Sequence, residues 1–336
     1  MDIEDIVASS VKHNASDLHL CSGHSPFWRC DGRLAPIEGQ PEMQNEWLES
    51  FAIRWLTPAQ HQTLALEGQV DFALTMADGV RLRASLFRQR LGLSLALRLI
   101  ARHCPALASL HLPAVADSLL QRREGLMLIT GATGSGKSTT LAAMIDEMNQ
   151  RQQRHILTLE DPVEYLHHSV HSLIQQREKG QHFTHFGDGL RAALREDPDV
   201  ILLGELRDAA TIQLALTAAE TGHLVLATLH TRGAAQAIER LVDVFPGNEK
   251  NLVRSQLAGS LQAVIAQRLV AATSGRVALF EVLVNCPAVA NLIREGKTHQ
   301  LPALLQTGSS LGMQTFEQSL AERQRVGLLA DRKRTG

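Results

Sequence analysis

The stretch Leu126-Met-Leu-Ile-Thr130 runs into Gly131-Ala-Thr-Gly-Ser-Gly-Lys137-Ser138-Thr139-Thr140 and then into Leu141-Ala-Ala-Met-Ile145. A short apolar run stopped by glycine reads as a buried strand, and the run after it has the composition of a helix. Between them, Gly-x-x-x-x-Gly-Lys-Ser is the spacing of a phosphate-binding loop, in the strand-before, helix-after context that such a loop needs. The glycines let successive backbone N–H groups converge on phosphate oxygens. The Lys137 ammonium reaches the β- and γ-phosphates, and the Ser138 hydroxyl lies where Mg²⁺ is held, at the positive end of the helix. Gly131, Ala132, Thr133, Gly134, Ser135, Gly136, Lys137, Ser138 and Thr139 are therefore the candidate nucleotide contacts, with ATP and Mg²⁺ as the expected cofactors.

Further apolar runs, His155–Leu159, Val200–Leu203 and Leu224–Thr228, are each flanked by helix-like sequence. This alternation predicts an α/β domain with a parallel sheet, crossover helices and nucleotide at the strand C-termini. Asp197-Pro-Asp-Val-Ile-Leu-Leu-Gly-Glu205 is a strand ending in a carboxylate, the Walker B position, with Gly204 where many such ATPases carry a metal-binding Asp. That leaves Glu205 to orient the attacking water. Leu159-Glu160-Asp161-Pro-Val-Glu164 ends a second strand at the same edge. Glu160 and Glu164 are candidates for the metal side, and Asp161 for a turn or helix cap before Pro162. In Ala219-Glu-Thr-Gly-His223-Leu-Val-Leu-Ala-Thr-Leu-His230-Thr231, histidines bracket a strand; each is either a hydrogen-bonded structural residue or a sensor of the γ-phosphate. Val253, Leu257, Leu261, Val264, Ile265 and Leu269 recur at helical spacing and predict one amphipathic helix over Lys250–Val270. A strand over Arg276–Val284, helices near Pro287–Glu295 and Thr315–Glu322, and the basic tail Asp331-Arg-Lys-Arg follow.

At 336 residues and 44% hydrophobic content the chain has room for two ordinary domains. Trp28, Trp47 and Trp55 all precede residue 60, whereas the strongest strand and helix alternation follows residue 125. The boundary is expected near residue 105, giving domains 1–104 and 105–336. Asp17–Leu20, Phe27–Arg33, Gln69–Leu74, Val80–Phe87 and Leu93–Leu99 read as strands of an α+β domain, with Asp31-Gly32 and Asp78-Gly79 as turns. Residues 100–124 fit a linker with an entry helix. Arg81 and Arg83 share one strand face, and Arg98 lies opposite the Leu93, Leu95, Leu97, Leu99 stripe; this face is either a solvated sheet edge or an anion-binding surface. A net charge of −2 gives no basic field, so nucleic acid is not an expected partner. The acidic start is no signal peptide and no apolar run approaches the length of a spanning helix, which predicts a cytoplasmic chain without a transmembrane segment. Four scattered cysteines without a C-x-x-C pair argue against zinc and disulfides.

Together, the loop, Ile156-Leu-Thr-Leu-Glu-Asp-Pro-Val-Glu164, Leu194-Arg-Glu-Asp-Pro-Asp-Val-Ile-Leu-Leu-Gly-Glu-Leu-Arg-Asp208 and Ala219–Thr231 resemble the Walker A, Asp box, Walker B and His box of the secretion ATPase superfamily. The PilT branch of type IV pilus retraction ATPases, with its short YggR-type relatives, is the nearest in pattern. The resemblance spans Ser16-Asp-Leu-His-Leu20 to Ser310-Leu-Gly-Met-Gln-Thr-Phe316. It implies a PAS-like first domain, a RecA-like P-loop NTPase domain with a C-terminal helical extension, and a hexameric ring hydrolysing ATP. It also implies a catalytic Glu205, Glu160 and Glu164 on the metal side, His-box roles for His223 as sensor and His230 as catalytic residue, and Arg81 and Arg98 brought to the phosphates. The implied setting is cytoplasmic, peripheral at the inner membrane, with an inner-membrane pilus or secretion platform protein as partner. Three positions depart from the pattern: Ala132 for Pro, Leu91 for Arg with Arg88 and Arg90 nearby, and Ala290 for the first arginine of a motif tied to retraction. The longer N-terminal region and tetracysteine element of the extension and type II secretion branches are absent from this sequence, which favours the PilT branch.

Overall fold

Strong local signals set the elements of the first unit. Asp2 caps helix α1 (Ile3–Lys12) by accepting from the Glu4 N–H. Thr57 and Gln60 form a capping box at α3 (Pro58–Glu67), which ends on Gly68 in the left-handed region. With α2 (Asn45–Trp55) these helices accompany strands β1 (Ala15–Cys21), β2 (Phe27–Cys30), β3 (Arg33–Pro36), β4 (Gln69–Thr75), β5 (Arg81–Gln89) and β6 (Gly92–Ile100). The computed structural model describes residues 2–30, 32–100, 104–272 and 275–329, divided into two units, Met1–His103 and Cys104–Gly336. Asp31 of the expected Asp31-Gly32 turn, residues 101–103 of the expected linker and the basic tail at 331–334 lie outside the described residues.

The first unit's sheet has the order β3-β2-β1-β6-β5-β4, antiparallel throughout. Leu82, Ala84, Leu86, Leu93, Leu95 and Leu97 are buried on one face with Ile3, Ile6, Leu48 and Phe51 of the helices. The alternation places Asp17, Arg98 and Arg83 in one cross-strand row on the opposite face.

The second unit begins with α4 (Val115–Leu120) and continues β7 (Gly125–Thr130), α5 (Lys137–Arg151), β8 (His155–Glu160), β9 (Leu173–Glu178), α6 (Phe186–Ala193), β10 (Val200–Leu203), α7 (Ala209–Glu220), β11 (Leu224–Leu229), α8 (Ala234–Asp243), α9 (Lys250–Ser260), β12 (Leu261–Ala271), β13 (Arg276–Val284), α10 (Pro287–Arg294), α11 (Leu301–Thr307) and α12 (Phe316–Arg325). The sheet order is β13-β12-β7-β11-β10-β8-β9, parallel except where β12 meets β13. Successive β7 side chains enter two cores: Leu126 and Leu128 meet residues of α6 to α10, while Met127 and Ile129 meet residues of α4 and α5. Burial on both faces is why these strands read as unbroken apolar runs.

Two elements differ from the sequence reading. The single helix expected over Lys250–Val270 ends at Ser260, and Leu261–Ala271 is a strand between β7 and β13. Ala263, Val264, Ile265 and Ala266 are all buried, and a strand buried on both faces has no period to distinguish it from a helix. Strand β9 has no counterpart in the sequence pattern, because Gln175, Gln176 and Arg177 give it a polar edge-strand composition. No helix follows Pro162 for Asp161 to cap; its carboxylate pairs with Lys179 at 2.7 Å. Ala290 is buried against the α6–α10 core, so the site of the missing motif arginine faces inward.

Candidate active site

The phosphate loop bridges the C-terminal end of β7 and the first turn of α5. Gly131 and Gly136 have φ of 154° and 90°. A Cβ on Gly131 would lie 2.4 Å from the Gln267 carbonyl oxygen, and one on Gly136 would lie 2.8 Å from Gln267 Nε2. Glycine is therefore required by contact with β12 as well as by backbone conformation. Gln267 is buried and clamps the loop: its Nε2 donates to the Ser135 carbonyl at 2.8 Å, and its Oε1 accepts from Thr140 Oγ1 at 2.8 Å. Lys137 Nζ donates to the carbonyls of Gly131 (2.8 Å) and Ala132 (3.1 Å), folding back over the loop. Ala132, Thr133 and Gly134 are exposed at the tip, while Ser138 and Thr139 are half-buried. Burial pushes the Lys137 ammonium below its usual range, opposed by the carboxylates of Glu164 and Glu205.

Those carboxylates come from neighbouring strand ends. Gly204 follows β10, and a Cβ there would sit 3.3 Å from the Leu159 carbonyl oxygen and 3.4 Å from Glu160 Cα, leaving little room for a Walker B aspartate. Glu205 comes next, with its side chain 12% exposed; its Oε1 lies 2.5 Å from Arg207 Nε and its Oε2 lies 3.4 Å from His230 Nε2. Glu160 ends β8, and its Oε1 accepts from Thr158 Oγ1 (2.7 Å) and Gln176 Nε2 (3.2 Å). Burial raises the Glu160 carboxyl above the usual range; its hydrogen bonds, including one from the Glu164 backbone, offset only part of this. Glu164 is exposed. The segment carrying it is braced from β9, where Gln176 Oε1 accepts from the His167 N–H, Gln176 Nε2 donates to the Tyr165 carbonyl, and Glu178 accepts from the Val163 N–H. Tyr165, the sole tyrosine of the chain, reaches α5 through a 3.0 Å hydrogen bond between its hydroxyl and that of Thr139.

The structure thus brings together the loop, Glu160, Glu164, Glu205 and His230. His223 is not among them. It precedes β11, where Leu224 is opposite Gly125 at the start of β7, whereas the loop leaves β7 beyond Thr130, opposite Leu229. Six residue steps, roughly 20 Å in extended chain, separate His223 from the edge carrying the loop, and its Nδ1 lies 3.1 Å from the Ala218 carbonyl. The sensor role expected for His223 is therefore corrected: a parallel strand presents only its C-terminal end to the nucleotide edge. Arg81 and Arg98 lie on β5 and β6 of the first unit, and Arg98 Nε pairs with Asp17 Oδ1 at 2.9 Å. Among the described residues, no group of three or more His, Cys, Asp and Glu side chains is placed to hold a metal ion.

The fold that carries this site is shared with known proteins. Residues 1–326 match the family described as Type II/IV secretion system protein. The chain belongs to this family. It is 61% identical to the Uncharacterized protein YggR of Escherichia coli (strain K12), over 98% of this chain and 100% of that one. It is 44% identical to the Type IV pilus retractation ATPase PilT of Pseudomonas aeruginosa, over 98% and 96%. The crystal structure of the pilus retraction motor PilT with bound ADP covers 98% of this chain, which in turn covers 95% of that one, with a TM-score of 0.91 at 42% identity. The chain is a secretion ATPase with an α/β fold of mixed sheets, similar to PilT throughout.

In this secretion ATPase, the residues that sequence reasoning missed around the site are Gln267, Gln176, Glu178 and Arg207. The first three lie on β12, whose apolar pattern also fits a helix, and on β9, whose polar composition gives little strand signal. Arg207 was legible in principle: it lies two residues beyond Glu205, and alternate residues of an extended segment share a side.

Proposed function

We propose that this secretion ATPase is the subunit of a homohexameric ring that hydrolyses ATP and converts it into domain motion on a type IV pilus or related secretion machinery. The observation that carries this reading is the position of Lys137 within the field of both Glu164 and Glu205 at the carboxyl edge of the sheet. The loop N–H groups and Lys137 bind the β- and γ-phosphates, so the ammonium exchanges its present carbonyl partners for phosphate oxygens. Glu205 orients the attacking water, and His230, beside it, registers the γ-phosphate. Arg81 and Arg98 supply transition-state charge in the assembled ring.

The donor set fits Mg²⁺, which is usually held by one or two protein oxygens together with phosphates and water rather than by a protein cage. Ser138 and the exposed Glu164 would hold it, directly or through water. Glu160, whose carboxylate is already engaged by Thr158 and Gln176, shapes the same edge. When bound, the cation neutralises phosphate charge. No helix among the described residues is long and apolar enough to cross a membrane. We assign the ring to the cytoplasm, peripheral at the inner membrane through a pilus or secretion platform protein.

Nucleotide titration and turnover test the reading. Lys137→Ala should abolish tight ATP binding, and Glu205→Gln should retain ATP while hydrolysing it at least roughly 100-fold more slowly. Near-normal affinity in Lys137→Ala would overturn the loop assignment. Loss of binding in Glu205→Gln would recast that carboxylate as structural.

A further inference from the structure

Residues Gly204–Asp208 connect β10 to α7 and are fixed at several points. The Leu206 N–H donates to the Thr228 carbonyl at 3.1 Å, and Thr228 Oγ1 donates to the Gly204 carbonyl. Asp208 caps α7, accepting from the Thr211 N–H at 2.8 Å and from Thr211 Oγ1 at 2.9 Å. On this held backbone the two residues flanking Leu206 meet: Arg207 Nε lies 2.5 Å from Glu205 Oε1. The second carboxylate oxygen faces His230 Nε2 at 3.4 Å. Both oxygens of Glu205 are thus engaged by neighbouring side chains.

From this geometry we propose that Arg207 is a positioning residue that latches Glu205 in a resting state and must release it before hydrolysis. The proposal rests on the assignment of Glu205 as the water-orienting carboxylate. A carboxylate oxygen committed to a guanidinium is a poorer acceptor for the proton of an attacking water, since both compete for the same lone pairs. The exposures fit a latch with one mobile half: the Glu205 side chain is 12% exposed and that of Arg207 is 73% exposed. The guanidinium can withdraw into solvent by rotation of its own side chain, leaving the clamped backbone and the carboxylate in place. His230 remains as the second contact, so release of Arg207 frees one oxygen while the other keeps its neighbour.

The experiment measures steady-state hydrolysis by the full chain for wild type, Arg207→Ala, Arg207→Lys and Glu205→Gln. Arg207→Ala should raise kcat by roughly 2- to 5-fold, the range given by losing an ion pair exposed on its arginine side. KM should change less, because Arg207 is assigned no contact with the phosphates. Arg207→Lys, which retains a cation able to reach Oε1, should return kcat toward wild type. An unchanged kcat in Arg207→Ala overturns the latch. So does a fall in kcat in that variant, which would place Arg207 in the working catalytic assembly. Glu205→Gln separates this result from the underlying assignment: if it hydrolyses ATP like wild type, the role of Glu205 fails, whereas a collapse in Glu205→Gln with no rise in Arg207→Ala removes the latch alone.

Discussion

Glu160 shows how a carboxylate near a nucleotide site can be engaged before any ligand arrives. Burial is the dominant influence and raises its carboxyl above the ordinary value of 4.5, against hydrogen bonds from Thr158, Gln176 and the Glu164 backbone. A group whose folded-state pKa lies above its unfolded value binds its proton more tightly when folded. Its stabilising contribution is therefore complete below the unfolded pKa and is lost as pH rises through the folded one. As pH rises above 4.5 the unfolded chain gives up this proton more readily than the fold does, and the wild-type fold loses stability relative to it. Glu160→Gln removes this titration while keeping an oxygen for Thr158 and Gln176. Measured without nucleotide, the variant's unfolding midpoint relative to wild type should be highest at neutral pH. The difference should move in favour of wild type as pH falls toward 4.5. A difference that does not vary with pH would mean that Glu160 is not held in this way.

At the scale of elements, legibility followed locality. The loop, its strand and its helix are contiguous, and the glycine spacing, Lys137 and Ser138 announce themselves without tertiary knowledge. The Glu160 and Glu205 strand ends were equally legible, because each is a short apolar run terminated by acid. Strand β12 was not: its residues satisfied a helical template up to Leu269, and only its placement between β7 and β13 made it a strand. Gln267 was lost with it, although it reaches both Ser135 in the loop and Thr140 in α5. Gln267→Ala would leave a buried carbonyl and hydroxyl without this partner, which costs about 1–3 kcal/mol. Because these groups belong to the loop and its helix, the loss should appear both as a lower unfolding midpoint and as weaker ATP binding. Calorimetric titration beside thermal unfolding would measure the two effects, and unchanged affinity would reduce Gln267 to a packing residue.

The arginine face raises a question only the whole molecule can answer. Arg98 is 68% exposed yet paired with Asp17, and the same residues admit a structural role in the sheet or a catalytic one in a ring. Burial works to raise the Asp17 carboxyl, but the Ser16 hydrogen bond and the Arg98 guanidinium outweigh it and hold it below its usual range. The pair therefore belongs to the fold of the first unit whatever else Arg98 does. Asp17→Asn disrupts the ion pair and leaves the guanidinium, whereas Arg98→Ala removes the guanidinium itself. A head-to-tail ring closes on repeated copies of one heterologous contact, so a site completed by assembly should gain specific activity as protein concentration rises through the assembly range. In that regime Arg98→Ala should reduce kcat by roughly 10³-fold with little change in ATP affinity, as expected for a group that acts on transition-state charge. Asp17→Asn should retain most of the turnover, with at most a lower unfolding midpoint. Equal losses in both variants would assign Arg98 to the sheet, and a specific activity independent of concentration would remove the need for a neighbouring subunit at the site.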